Sequence, residues 1–139
     1  MEMTATVEET RRVMEAYGGS RDTALIAPDA VFVDSATGRQ YVGREAIASL
    51  LRTLYHDAFD ARVEGASLVI APGKAVLEGH LVGIHVGEFA GVPASGIEVR
   101  IPLVVAYDIA DGLIQRGRVH LQVASLLQQV EANNRIGPV

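Results

Sequence analysis

The 139-residue sequence contains no cysteine. Disulfides, thiolate nucleophiles and cysteine-ligated metals are thereby excluded, and the chain is compatible with a reducing compartment. Tryptophan is also absent and aromatics make up 5% of the residues, which argues against a base-stacking nucleic-acid surface. Positive charge is scarce. Twelve Lys and Arg stand against 17 Asp and Glu, giving a formal net charge of −5, and the basic residues are scattered rather than gathered into a stripe. No apolar run approaches the ~18 residues of a membrane helix. Met1 to Glu9 is acidic and lacks the basic, then apolar, order of a secretory signal. These absences predict a cytoplasmic protein with neither a nucleic-acid nor a membrane partner.

What is present is apolar material. A hydrophobic share of 49% in a chain of single-domain length suffices for a core and for a lined cavity. Thr6 and Glu9 form a capping box. The helix behind it runs to about Tyr17, where Gly18 and Gly19 end it. Residues 20–27 form a short second helix stopped by Pro28, residues 29–34 a strand, and Gly38 the turn behind it. Residues 43–59 carry the clearest helical pattern, with Ile47, Leu50, Leu51, Leu54 and Ala58 on one face. Strands follow at 63–70 and 75–84 around Pro72-Gly73. A Gly-rich connection spans 85–96. The strands 98–108 and 113–122 flank the hairpin signal Asp111-Gly112, and a helix covers 125–132. Helices segregated from an antiparallel meander give one α+β domain over the whole chain. A long helix laid across a bent sheet forms a half-open cone with an apolar pocket at its mouth.

On the strand 113–122, Arg116, Arg118, His120 and Gln122 share one face, while Val119 and Leu121 take the other. Asp34 ends an apolar strand. It is either a carboxylate whose pKa rises on desolvation or the cap of the turn that holds Ser35 and Thr37. His80, His85 and Glu88 do not follow a recognised zinc spacing, so no metal is expected. Of the four tyrosines, Tyr17, Tyr41, Tyr55 and Tyr107, Tyr41 stands nearest the long helix and is the best pocket candidate. Phe32 and Phe59 read as core or pocket wall. The Gly-rich connection lacks Gly-Lys-Ser/Thr and is no phosphate loop; it reads as a lip over the cavity. Apolar residues on both faces of the last strands predict a homodimer through the sheet.

Three segments carry a family resemblance. They are residues 30–47, ending in Gly43-Arg44-Glu45-Ala46-Ile47; residues 83–96, with Gly83, His85, Gly87, Phe89, Gly91 and Pro93; and residues 107–129, ending in Leu126-Leu127-Gln128-Gln129. Together they resemble the SnoaL-like polyketide cyclase family of the NTF2-like fold, over roughly residues 30 to 130. The resemblance implies a cone-shaped α+β fold, frequent dimers and cofactor-free acid/base chemistry on an apolar carbonyl or polyketide-like molecule. It also implies that His85 holds the Gly-rich connection by hydrogen bonding, and that the His120/Gln122 face lines the pocket.

One departure stands out. Where the family reads Tyr-Phe-Asp, with the Asp as general acid/base, this chain reads His120-Leu121-Gln122, and Gln122 cannot exchange a proton near neutral pH. His120, with an ordinary pKa near ~6.5, is the substitute. The expected site has His120 and Asp34 as catalytic pair. Gln122, Arg118 and Tyr41 orient the substrate, and Phe32, Phe59, His80 and His85 complete the binding set. Cyclisation, isomerisation or hydrolysis are the candidate reactions. The alternatives are a non-catalytic binding or dimerisation domain, motivated by Gln122, and an epoxide hydrolase resembling limonene-epoxide hydrolase, which needs two carboxylates bridged by an Arg. A ketosteroid-isomerase-like arrangement of Asp34 with Tyr41 is a looser match.

Overall fold

A computed structural model of the chain describes residues 5–136; the first four residues of the acidic Met1–Glu9 stretch lie outside them. Three helices and six strands follow in the order α1 (Val7–Ser20), β1 (Ile26–Asp34), β2 (Arg39–Val42), α2 (Arg44–Arg52), β3 (Phe59–Ala71), β4 (Lys74–His85), β5 (Glu98–Ala110), β6 (Leu113–Leu121) and α3 (Val123–Ile136). The strands make one sheet in the order β2-β1-β6-β5-β4-β3. Every pairing is antiparallel except β1 with β6. This is the α+β, NTF2-like cone expected from the sequence. Among the described residues no helix is long and apolar enough to cross a membrane.

Thr6 caps α1 as expected, its hydroxyl accepting the Glu9 N–H at 3.1 Å. Four residues on, the buried Thr10 hydroxyl donates to Thr6 O and accepts the Gly73 N–H at 2.9 Å. That bond pins α1 to the β3–β4 turn. The helix continues through Gly18 and Gly19 and stops at Arg21, which takes the left-handed conformation (φ 50°, ψ 41°). The expected second helix is only a three-residue 3₁₀ turn, Thr23–Leu25, capped by Asp22. Pro28 does not stop a helix; it lies within β1, where the β1–β6 register shifts between Ile26 and Val31. A proline fits a strand at such an irregularity because no ladder donor is lost. The strand β2 was not visible in the sequence, because its four residues lie on an edge and lack an alternating apolar pattern.

The helix expected over 43–59 divides in two. The α-helical part ends at Arg52, and Thr53–Asp57 form a wider turn closed by the Ala58 N–H on Thr53 O at 2.9 Å. This i→i+5 insertion turns Leu54 and Tyr55 toward the sheet.

Beyond the end of β6, the β6-side edge of β5 would be left unpaired. The side chain of Gln129 on α3 completes it. Its Oε1 accepts the Arg100 N–H at 3.0 Å, its Nε2 donates to Arg100 O at 2.8 Å, and Nε2 also reaches Ser125 Oγ at 2.9 Å. One amide thus stands in for a strand residue.

The hydrophobic core extends under the Gly-rich connection through Phe59, Phe89 and Val92. His85 is fully buried, stacks on Phe59 (centroids 5.3 Å) and contacts Ser95 Oγ through Nδ1 at 2.8 Å. Its backbone accepts from the Gly96 N–H and donates to Ile97 O. His85 therefore ties the two ends of the connection together. Its Nε2 is buried without a hydrogen-bond partner. Burial pushes its pKa below the ordinary value, with the Gly87 carbonyl and Glu88 opposing.

Two outcomes follow. Gln129→Leu should lower the urea unfolding free energy by about 1–2 kcal/mol, since two backbone groups of Arg100 lose their partner, while Gln128→Leu leaves it near wild type. For His85, the folded pKa lies below the unfolded value of 6.5. The unfolded chain then binds the proton more readily, and stability falls as pH drops below about 6.5. Urea midpoints between pH 7.5 and 5.5 should decline in the native chain and flatten in His85→Gln; equal slopes would refute this account.

Candidate functional site: an apolar cavity with phenolic donors

The cavity lies between the inner face of the sheet and the two N-terminal helices, with a volume of about 370 Å³. On α1 the spacing of Met14 and Tyr17 places both on the helix face that lines it, and Arg21, just past the helix end, joins them. Leu51, Leu54 and Tyr55 line it from α2 and the following turn. The sheet contributes Phe32, Leu77, Leu103, Val105, Tyr107 and Val119. Gly117 sets the depth of this wall. A Cβ there would meet the Phe32 ring at 2.8 Å, so the ring can lie flat on the β6 backbone only because residue 117 has no side chain.

The polar groups of the cavity are few. Tyr17 and Tyr107 are both buried, with ring centroids 5.9 Å apart in an edge-to-face arrangement, and Phe32 meets Tyr107 in the same way at 6.3 Å. Neither hydroxyl has a hydrogen-bond partner among the described residues, and neither is sealed from the cavity. Burial raises the pKa of both well above the ordinary phenol value, and the neighbouring phenols add to this, while Arg21 opposes it. Both are therefore neutral donors at any physiological pH. Arg21 lies at the mouth with its guanidinium 3.7 Å from the centre of the Tyr55 ring. Glu15, exposed on α1, is the carboxylate of the lining.

The residues expected to form the site are not brought together. Val119 and Leu121 are buried on the inner face, so His120, Gln122 and Arg118 point outward, opposite to the expectation that their face lines the pocket. His120 and Gln122 border a separate open groove with Ser35 and Val104. There the Ser35 hydroxyl donates to Val119 O at 2.6 Å and also meets His120 Nδ1 at 2.8 Å. A hydroxyl has one proton, so Nδ1 must carry its own and donate to Ser35. Arg118 is held by Asp108 at 3.1 and 3.3 Å, and Lys74 joins the same carboxylate at 2.7 Å. Asp108 is accordingly held below the usual carboxylate pKa, chiefly by Arg118. This outer-face pair has one carboxylate, not the two bridged by an Arg that epoxide hydrolysis needs.

Asp34 is buried and pairs in register with Val119, but its Oδ1 accepts the Ala36 N–H at 3.0 Å and its carbonyl closes the turn to Gly38. It is a turn cap and shares no cavity with His120. Tyr41 is half-buried under Arg39 (4.9 Å) and does not line the cavity. Phe59 belongs to the His85 cluster. His80 faces outward near Arg100, whereas His85 five residues on faces inward, so His80, His85 and Glu88 do not converge. Among the expected residues, Phe32 alone lines the cavity. Tyr17, Tyr55 and Tyr107 line it in place of Tyr41, together with Arg21 and Glu15, for which the sequence carries only the helical spacing of Met14 and Tyr17 as a signal.

Comparison with known proteins completes the picture. No curated protein matches the chain. Among solved structures, a proposed SnoaL-like polyketide cyclase from Jannaschia sp. CCS1 is 23% identical, with a TM-score of 0.71 over 91% of this chain and 92% of that one. A proposed polyketide cyclase from Xanthomonas campestris pv. campestris is 20% identical, with a TM-score of 0.76 over 88% and 97%. IdmH from Streptomyces antibioticus, likewise a proposed polyketide cyclase, is 22% identical, with a TM-score of 0.66 over 90% and 98%. These likenesses establish the fold. The model of the SnoaL-like polyketide cyclase family matches residues 9–130, and the chain belongs to that family.

Proposed function

We propose that this protein binds an apolar carbonyl compound, such as a cyclic ketone or polyketide-like molecule, in the inner cavity and promotes its enolisation without a cofactor. The observation that carries this reading is the pair of neutral hydroxyls of the buried residues Tyr17 and Tyr107, which line the cavity without a hydrogen-bond partner among the described residues. Two such donors stabilise the charge that develops on a carbonyl oxygen as its α-proton leaves. Glu15 lines the same cavity and is the residue assigned to take that proton. Cyclisation or isomerisation then follows from the enolate.

A second reading, binding without turnover, is favoured by a specific feature. Glu15 is exposed, and no carboxylate or imidazole among the described residues lies at the cavity floor.

Hydrogen–deuterium exchange at the α-carbon of a cyclic ketone, followed by NMR in D2O, separates the two. Catalysis predicts protein-dependent exchange that is lost in Glu15→Gln with affinity unchanged. Tyr107→Phe should weaken binding by about three- to tenfold, the worth of one hydrogen bond, and slow exchange further. Saturable binding with no exchange would leave the binding reading.

The outer face of the sheet supports the homodimer expected from the sequence. Val31, Val33 and Val104 are half-buried there, and Val69 is 67% exposed on the same face. Sedimentation equilibrium should give twice the 14.8 kDa chain mass, and Val104→Glu should return it to the monomer. A native monomer would remove this expectation.

A further inference from the structure

We propose that the ligand of this cavity carries an anionic group, and that Arg21 holds that group at the mouth. The proposal rests on the cavity reading above and narrows its substrate class. The sequence offers Gly18 and Gly19 as easy helix ends, yet α1 runs past both and spends its left-handed position on an arginine. A left-handed conformation is unfavourable for any residue with a Cβ. Its consequence here is positional: the guanidinium is laid on the Tyr55 ring, where two elements meet at the cavity mouth.

The charge of Arg21 is unspent. The ion pairs of the described residues join Arg62 and Arg100 to Glu64, and Lys74 and Arg118 to Asp108; none includes Arg21. Its sequence neighbour Asp22 is engaged elsewhere, accepting the Ala24 N–H at 2.9 Å. Glu15 is exposed and lies across the cavity lining without an ion pair to Arg21. The field of Arg21 reaches inward, since it opposes the rise in pKa of both Tyr17 and Tyr107.

Arg21 and Tyr55 also form the boundary to a second, shallow depression of about 230 Å³, which Ser20, Thr23, Arg52 and His56 help to line. No carboxylate lines it among the described residues. On a chain of net charge −5, a depression with two guanidinium groups, an imidazole and three hydroxyls is a local exception. A stacked guanidinium with free N–H groups recognises a planar carboxylate or a phosphate in a forked geometry. The ligand chemistry is thus bipartite: an apolar body against Leu54, Leu103 and Val105, and an anionic group outside it on Arg21.

Two fluorescent probes test this on the intact chain, which has no tryptophan to interfere. 8-Anilinonaphthalene-1-sulfonate and N-phenyl-1-naphthylamine differ only by the sulfonate. The native protein should bind the sulfonate at least about tenfold more tightly, the range of one charge-assisted contact, despite its overall negative charge. R21Q should lose that advantage and keep its affinity for the neutral probe, R21K should keep part of it, and R21G, which accepts the left-handed backbone, guards against a folding defect. Competition by 1-naphthoate and 1-naphthyl phosphate separates the two anion sources. A phosphate advantage abolished by R52Q assigns the group to the outer depression, and equal competition assigns it to Arg21 alone. Equal affinity for both probes, or a sulfonate affinity unchanged in R21Q and R21G, overturns the anionic site and leaves the cavity standing. Failure of both probes to bind overturns the cavity reading itself.

Discussion

Side-chain parity on β5 and β6 governs this molecule. Ile101, Leu103, Val105 and Tyr107 are buried at every second position of β5, and Val119 and Leu121 match them on β6. A strand has no freedom to move one residue to the other face without moving all of them. Once these six positions face inward, Arg118, His120 and Gln122 must face outward. The inner face is then left with a single polar tip on β5, the Tyr107 hydroxyl. The cost of turning His120 inward would be the exposure of Val119 and Leu121, roughly 3–6 kcal/mol of lost burial, far more than one hydrogen bond to a ligand returns.

The same parity explains why the polar chemistry of the cavity comes from helix α1. The sheet offers apolar wall. Tyr17, and Arg21 at the residue after the helix end, supply a further phenol and the cation found in the lining among the described residues. Gly117 opposite removes a side chain so that Phe32 can flatten against the backbone. The wider turn at Thr53–Asp57 brings Tyr55 beneath Arg21. Each of these is a local departure from regular geometry: a left-handed arginine, a strand glycine, a five-residue helical turn. Arg21 and Tyr55 line the cavity, and Gly117 lies behind Phe32, which also lines it.

Much of the fold was legible in the sequence because it rests on periodicity. The capping box at Thr6 and Glu9, the hairpin at Asp111-Gly112 and the alternation of β5 each declare themselves within ten residues. The family resemblance adds the cone. What was illegible depends on contacts distant in sequence. The edge strand β2 has no pattern of its own and exists because residues 31–34 pair with it. The N-terminal part of β3 hides behind Asp60, Arg62 and Glu64, which face outward from a strand whose inward residues are Phe59, Ala61 and Val63. The inward face of β6 was not legible for a related reason. The alternation of Arg118, His120 and Gln122 was read correctly, but alternation alone does not say which face is the inside. That is settled by the neighbouring β5, where the larger apolar residues lie at the opposite parity.

The cavity also cannot be a dry void. At about 24 cal/mol per Å³ of unfilled core, an empty space of 370 Å³ would cost roughly 9 kcal/mol, comparable to the whole stability of a domain this size. The lining resolves this. Glu15, Gly18, Ala66 and Leu68 are exposed, so the space communicates with solvent and is filled by water or ligand. Water gains little on the sheet side, where the wall offers it the Tyr107 hydroxyl and otherwise hydrocarbon. A molecule with matching apolar surface and an oxygen for Tyr17 and Tyr107 displaces that water favourably. The apolar inner face that holds the sheet to its helices is thus also the wall of the cavity.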